Sequence, residues 1–347
     1  MKTLAHTLFK RPVWLYACVS ASAVVLMAAI SALFAPQLQQ WEERLASRTW
    51  ALADSSATER RVVVIDIDEK STQALGAWPW PRDRMAQLLT GLDAYGVNLK
   101  VVDVLFDGEQ NAAQDAKLVE ALQTQNSIQS NKAPTVISQL FALSPEAQVK
   151  SGQLAGAMDT DAASAANASI ATAANTTASN TTCPAASTQA FGYMAAAPAF
   201  AQSSQAVGHI TPVVDPDGNI RRVPAVVCYE GQAYPALAVA GLAAATGAQP
   251  VIKQATGLMQ SGQVLDIGGL QIPIDAKGQL RVSYQMPRAG FVSVSAVDVI
   301  QGKVPAHMLK GAWALVGSTA FGGGDAVPTP QGGAVGGVEV HAQILSA

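Results

Sequence analysis

The longest uncharged apolar stretch of the chain runs from Val13 to Ala35 (VWLYACVSASAVVLMAAISALFA). A helix of about 20 such residues crosses a bilayer, so the stretch predicts a transmembrane helix. Lys2, Lys10 and Arg11 precede it without any acidic residue, whereas Glu42 and Glu43 accompany Arg44 and Arg48 beyond it. Basic residues collect on the cytoplasmic side, which places residues 1–12 in the cytoplasm and the bulk of the chain, from 54 to 347, outside a bacterial inner membrane. A cleaved signal peptide has a shorter apolar core of about 7–15 residues, so 13–35 is read as a signal anchor. Leu38, Trp41, Leu45 and Leu52 recur at helical spacing, predicting a juxtamembrane helix over 36–53.

Beyond the anchor the pattern changes to short apolar runs alternating with amphipathic ones. Arg61–Ile67 is a β-branched run that reads as a buried strand, with Asp66 and Asp68 at its carboxyl end. The block Trp78-Pro79-Trp80-Pro81-Arg82 cannot be helical, because each proline removes a donor and restricts its predecessor. Asp83 is the expected cap of a helix from Arg84 to about Ala94, with Met85, Leu88, Leu89 and Leu92 on one face. Asn98–Phe106 predicts a second buried strand, and the spacing is that of a βαβ unit with parallel strands. A helix over 114–123 and a strand near 135–140 continue the alternation. From about 151 to 187 the chain becomes an Ala/Ser/Thr/Asn tract, too poor in large apolar groups to repay ordering, and is expected as a low-complexity surface insertion.

Order is expected again at 206–210. The turn signal Asp215-Pro216-Asp217-Gly218 follows, leading to Arg221-Arg222 and a strand ending near Tyr229. Tyr234–Gly247 reads as an Ala/Leu helix, Val264–Ile274 and Gln279–Tyr284 as strands, and Ser295 as the cap of a helix reaching Ile300. Trp313–Gly317 is a further buried strand, followed by a Gly-rich loop containing Ser318, Thr319 and Asp325; the helix beginning at Gly337 carries Glu339 and His341. The expected fold is therefore α/β, a mostly parallel sheet with flanking helices, preceded by one N-terminal transmembrane helix.

Composition narrows the function classes. A net charge of -3 and a pI near 5.8, with no basic run interleaved with aromatics, argue against a nucleic-acid partner. Cys18 lies in the anchor; Cys183 and Cys228 can form a disulfide if their region is periplasmic, the alternative being two separate thiols. No zinc spacing, nucleophile elbow or phosphate-binding loop is present, so neither metal, cofactor nor catalytic residue is assigned. Asp66, Asp68, Asp103 and Asp107 would suit a hard cation, yet no EF-hand spacing supports one.

The strand ending in Ile67-Asp68 with Ser71 after it, Leu75-Gly76, the Trp-Pro-Trp-Pro-Arg block at 78–82 and Val102–Phe106 resemble the type-two CHASE domain. So do Asp217-Gly218 with Arg221-Arg222, Tyr234–Ala238, Val316–Thr319 and the terminal Gly337-Val338-Glu339-Val340-His341-Ala342. The resemblance covers nearly all of the exported region. It implies an extracellular sensory module of a bacterial receptor, tied by further membrane helices to a cyclase, kinase or GGDEF/EAL output module that would have to lie beyond Ala347 or in a partner. It also implies an unknown periplasmic ligand and, as is usual for such receptors, a homodimer.

In a parallel sheet, ligands bind outside the carboxyl ends of the strands. Asp68, Ser71, Trp80, Arg82, Asp103, Asp107, Ser318, Thr319 and Asp325 belong near such ends and are the candidate ligand-binding residues. Against them stands the structural alternative: Asp68 and Ser71 capping the next turn, Arg82 paired with a carboxylate, and the tryptophans in the core. A hydrolase using Ser71, His209 and His341, and a purely structural membrane protein, are the other function classes to weigh.

Overall fold

The structure is a computed structural model that describes residues 5–34, 41, 43, 45, 58–123, 132–158, 183–184, 187–255, 262–320, 326–330 and 333–346. The chain divides into two compact units, Met1–Asp54 and Ser55–Ala347. In the first, helix α1 spans Ala5–Leu33. Its described side chains begin at Leu15, and the large apolar ones, such as Val24, Leu26 and Met27, are exposed. Among the described residues no helix is long and apolar enough to cross a membrane. Apart from Trp41, Glu43 and Leu45, which are helical, the expected juxtamembrane helix over 36–53 lies outside the described residues.

The second unit is built on a parallel sheet. Its strands are β1 (Glu59–Ile67), β2 (Leu99–Val102), β3 (Thr135–Ala142), β4 (Ala206–His209), β5 (Phe291–Ser295) and β6 (Trp313–Ser318). They lie in the order β5-β1-β6-β2-β3-β4, every neighbouring pair parallel. A short antiparallel extension, Gly192–Met194, joins the far end of β3. Successive residues of β1 point to opposite faces, so its run of β-branched residues feeds two cores. Val63, Ile65 and Ile67 face one core, and Val62 and Val64 face the other.

The first core is covered by α2 (Glu69–Leu75), α3 (Arg82–Tyr95), α4 (Ala112–Leu122) and α6 (Ala296–Ile300), once α5 (Leu237–Thr246) is numbered in chain order. Met85, Leu88, Leu89 and Leu92 put the apolar face of α3 into it, as their spacing predicts. Lys100 of β2 is fully buried there against Asp93 of α3. The second core holds α5, α7 (Gly337–Ser346) and a six-stranded antiparallel sheet running between 213 and 281.

Several local expectations are corrected. α3 begins at Arg82 after Pro81, whose fixed φ suits a helix start, so Asp83 lies in the first turn and is not the cap. β2 ends at Val102 rather than continuing to Phe106; the chain then turns away, leaving Asp103, Val104 and Leu105 half-buried. β1 and β2 are parallel but not adjacent, because β6, with both faces buried, takes the place between them. Tyr234 and Pro235 close an antiparallel pair with Val226 and Val227, and α5 starts only at Leu237. Of the low-complexity tract, 159–182 lies outside the described residues. Its start is packed: Met158 is buried and its N–H donates to Ala233 O at 2.7 Å.

Candidate functional site

A cavity of about 410 Å³ opens outside the carboxyl ends of the parallel strands. Pockets for metabolite-sized ligands begin at about 300 Å³. Asp103, directly after β2, and Ser318, the last residue of β6, stand at its floor. Trp78, Trp80 and Arg82, from the connection into α3, form one wall. Ile220 and Val223 of the antiparallel sheet and Val340 and His341 of α7 also line it. Five of the candidate residues thus meet at one place: Trp80, Arg82, Asp103, Asp107 and Ser318.

Arg82 is the buried cation of this site, only 4% exposed. Its Nη2 donates to the backbone carbonyl of Asp107 at 2.8 Å, and its guanidinium lies 5.1 Å and 5.5 Å from the ring centroids of Phe106 and Phe200. Its Nε has no hydrogen-bond partner among the described residues. Burial lowers its pKa, opposed by the more distant charges of Asp107 and Asp115. The expected carboxylate pair is therefore replaced by a carbonyl and two aromatic rings.

Asp103 is the complementary group. Its N–H is used in the sheet, donating to Val316 O at 2.8 Å. Its carboxyl has no hydrogen-bond or ion-pair partner among the described residues, and burial pushes its pKa from 3.8 up to about 7. An isolated carboxyl in low dielectric resists ionisation, because desolvation penalises the charged form. Ser318 donates from Oγ to Ile67 O at 3.1 Å, which fixes it to β1 at the cavity edge. Trp80 is core as well as wall: it is 2% exposed and donates from Nε1 to Gly76 O at 2.9 Å. Trp78 meets its ring edge-on at 6.0 Å.

The remaining candidates do not join the cavity. Asp68 caps α2, accepting from Ser71 N at 2.8 Å, and its other oxygen accepts from Ser295 Oγ. Burial alone would raise the Asp68 carboxyl; the hydrogen bonds from Ser295 and Ser71 outweigh it and hold the pKa below the usual range. Ser71 is fully buried and its Oγ accepts from Val297 N at 3.1 Å, tying α2 to α6. The Ser71 hydroxyl is thereby committed to the backbone, not presented to a base. Thr319 donates to the Asp66 carboxylate at 2.7 Å, across the β1–β6 seam. Asp325 lies outside the described residues. Among the described residues no cluster of three His, Cys, Asp or Glu could hold a metal.

Sequence reasoning named His341 only for a hydrolase and Trp78 only in the Trp-Pro block, and placed neither, nor Ile220 and Val223, among the ligand-binding candidates. His341 is 4% exposed, and behind it His209 is fully buried with its Nδ1 accepting from Thr211 N at 3.3 Å. Burial, then the neighbouring His341, push the His209 pKa down to about 3, so that ring stays neutral. The terminal Gly-Val-Glu-Val-His-Ala signature was the available signal for His341. Cys183 and Cys228 are bridged, with Cα atoms 5.8 Å apart.

A family model, the CHASE2 domain, matches the chain over residues 24–347. The chain belongs to the CHASE2 family. CHASE2 domains are extracellular sensory modules and not catalytic ones, which is consistent with a sensory role for this chain. Comparison with curated proteins and with solved structures finds no match.

Proposed function

We propose that this CHASE2 chain is the extracytoplasmic sensory part of a bacterial inner-membrane receptor, and that a small periplasmic ligand occupies the cavity at the strand ends. The observation that carries the reading is the participation of α7: Gly337, Val340 and His341 line the cavity, so an occupant touches the C-terminal helix directly. A ligand can shift an equilibrium only by binding two arrangements with different affinity. Movement of α7 against β6 supplies such a pair, and it would pass to membrane helices and an output module carried by a further segment or a partner. Anchoring through 13–35, with the basic flank inside, is supported by the charge asymmetry around that stretch.

The test is a thermal-shift screen of the purified full chain, in nanodiscs, against small periplasmic metabolites. Binding to the folded state alone raises Tm. The reading expects at least one stabilising compound, whose effect disappears in Val340→Trp, which fills the cavity from α7. A screen without any shift, or a shift untouched by that substitution, overturns it.

A further inference from the structure

We infer that the strand-end cavity takes a zwitterionic organic ligand whose acid and amine are separated by an apolar body, the acid meeting Arg82 and the amine meeting Asp103. This rests on the sensory reading above and specifies its ligand.

The cavity is lined by a guanidinium and a carboxyl that are not paired with each other. Arg82 keeps an unpartnered Nε although it is buried to 96%, and no carboxylate ion-pairs with it among the described residues. A guanidinium that lines the cavity and gives a single hydrogen bond, from Nη2, is suited to a carboxylate, to which it can donate further. The Asp103 carboxyl likewise has no hydrogen-bond or ion-pair partner among the described residues, and burial raises its pKa. An unpaired, half-buried carboxyl is partly desolvated, and an ammonium brought against it offsets that cost.

Much of the remaining lining is apolar, with Trp78, Ile210, Val223 and Val340 among it. An ammonium held against Asp103 gains further from a tryptophan face in the same cavity. A simple anion would leave Asp103 unmatched; a simple amine would leave Arg82 so. A molecule carrying both, spaced by methylenes or by a short apolar peptide, satisfies each end and fills the middle. At about 410 Å³ the cavity suits a body of dipeptide or ω-amino-acid size.

The experiment compares three probes of equal chain length on the purified full chain by isothermal titration: ω-aminohexanoate, hexanoate and hexylamine. The inference expects ω-aminohexanoate to bind at least about tenfold more tightly than either of the others, since each end adds a charge-assisted contact. Asp103→Asn, nearly isosteric, should remove its advantage over hexanoate and leave hexanoate itself unchanged. Arg82→Gln should remove its advantage over hexylamine; should that variant not fold, the Asp103→Asn arm decides. Equal affinity for hexanoate or hexylamine overturns the assignment, as does indifference to Asp103→Asn. If none of the probes binds while another compound stabilises the protein through the Val340-lined cavity, the zwitterion assignment falls and the sensory reading stands. If nothing stabilises it, both fall.

Discussion

The guanidinium of Arg82 donates to the main-chain carbonyl of Asp107 at 2.8 Å, not to its carboxylate. The two consequences differ. Arg82→Lys keeps the charge but loses the planar fork and its packing on Phe106 and Phe200. We expect a loss of about 1–3 kcal/mol in urea unfolding, the size associated with hydrogen bonds to a buried charge. Asp107→Ala leaves the carbonyl in place and removes an exposed side chain, so it should be within about 0.5 kcal/mol of wild type. Equal effects of the two substitutions would show that the carboxylate holds Arg82 after all.

Asp103 makes stability depend on pH in an unusual direction. Its folded pKa is raised from 3.8 to about 7, so the folded state keeps a proton that the unfolded chain sheds above pH 4. The stabilisation is full below the unfolded value and is lost as pH rises through the folded one. Full linkage would be about 4 kcal/mol at 1.36 kcal/mol per unit, and the half-buried position of Asp103 reduces it to about 2 kcal/mol. Arg82, Asp107 and His341 also line the cavity, so the diagnostic is a difference. Between pH 5 and pH 8 wild type should lose more stability than Asp103→Asn, and parallel profiles would remove the claim.

The Cys183–Cys228 bridge closes a loop with a sequence separation of 45. Constraining a loop of that length stabilises by about 4 kcal/mol in the chain-entropy account. Cys228 is 3% exposed within a strand, so the bridge ties the returning chain to the fold's interior. Dithiothreitol should lower Tm in wild type and leave Cys183→Ala/Cys228→Ala unaffected. A wild-type Tm indifferent to reductant would mean that the bridge does not form.

What was legible in the sequence follows a physical divide. β1, β3, β6 and α3 announce themselves because their partners on each face leave a local period in the chain, as Met85, Leu88, Leu89 and Leu92 do. Arg82 and Asp103 could be placed because strand ends and a Trp-Pro block fix where they must lie. Asp68 and Ser71 looked the same from sequence, since a carboxylate that caps a helix and one that binds a ligand occupy the same kind of position. His341, Ile220 and Val223 were not placed at the ligand site because that role depends on segments far apart in sequence meeting at one cavity. The central position of β6 is illegible for the same reason: its order in the sheet is decided by long-range burial, not by a neighbouring motif.

The contact that joins the sheet to the terminal helix is also the most sensitive to added volume. A Cβ on Gly317 of β6 would lie 2.5 Å from Val338 Cβ and 2.7 Å from its Cγ2, well inside contact distance. Val338 is fully buried at the start of α7, with little room to withdraw. Gly317→Ala should therefore cost about 1–3 kcal/mol, typical of overpacking, and displace α7 from β6. Val338→Ala alone removes buried methyls and should cost about 1–2 kcal/mol through the cavity it leaves. Because Gly317→Ala already crowds those methyls, the double variant should be more stable than the sum of the two losses predicts, and this coupling is readable in a double-mutant cycle. If α7 carries the response, Gly317→Ala should also weaken binding of any cavity ligand, whose contacts with Val340 and His341 depend on the helix lying in place. Strict additivity, with ligand affinity unchanged, would place the response somewhere other than the β6–α7 seam.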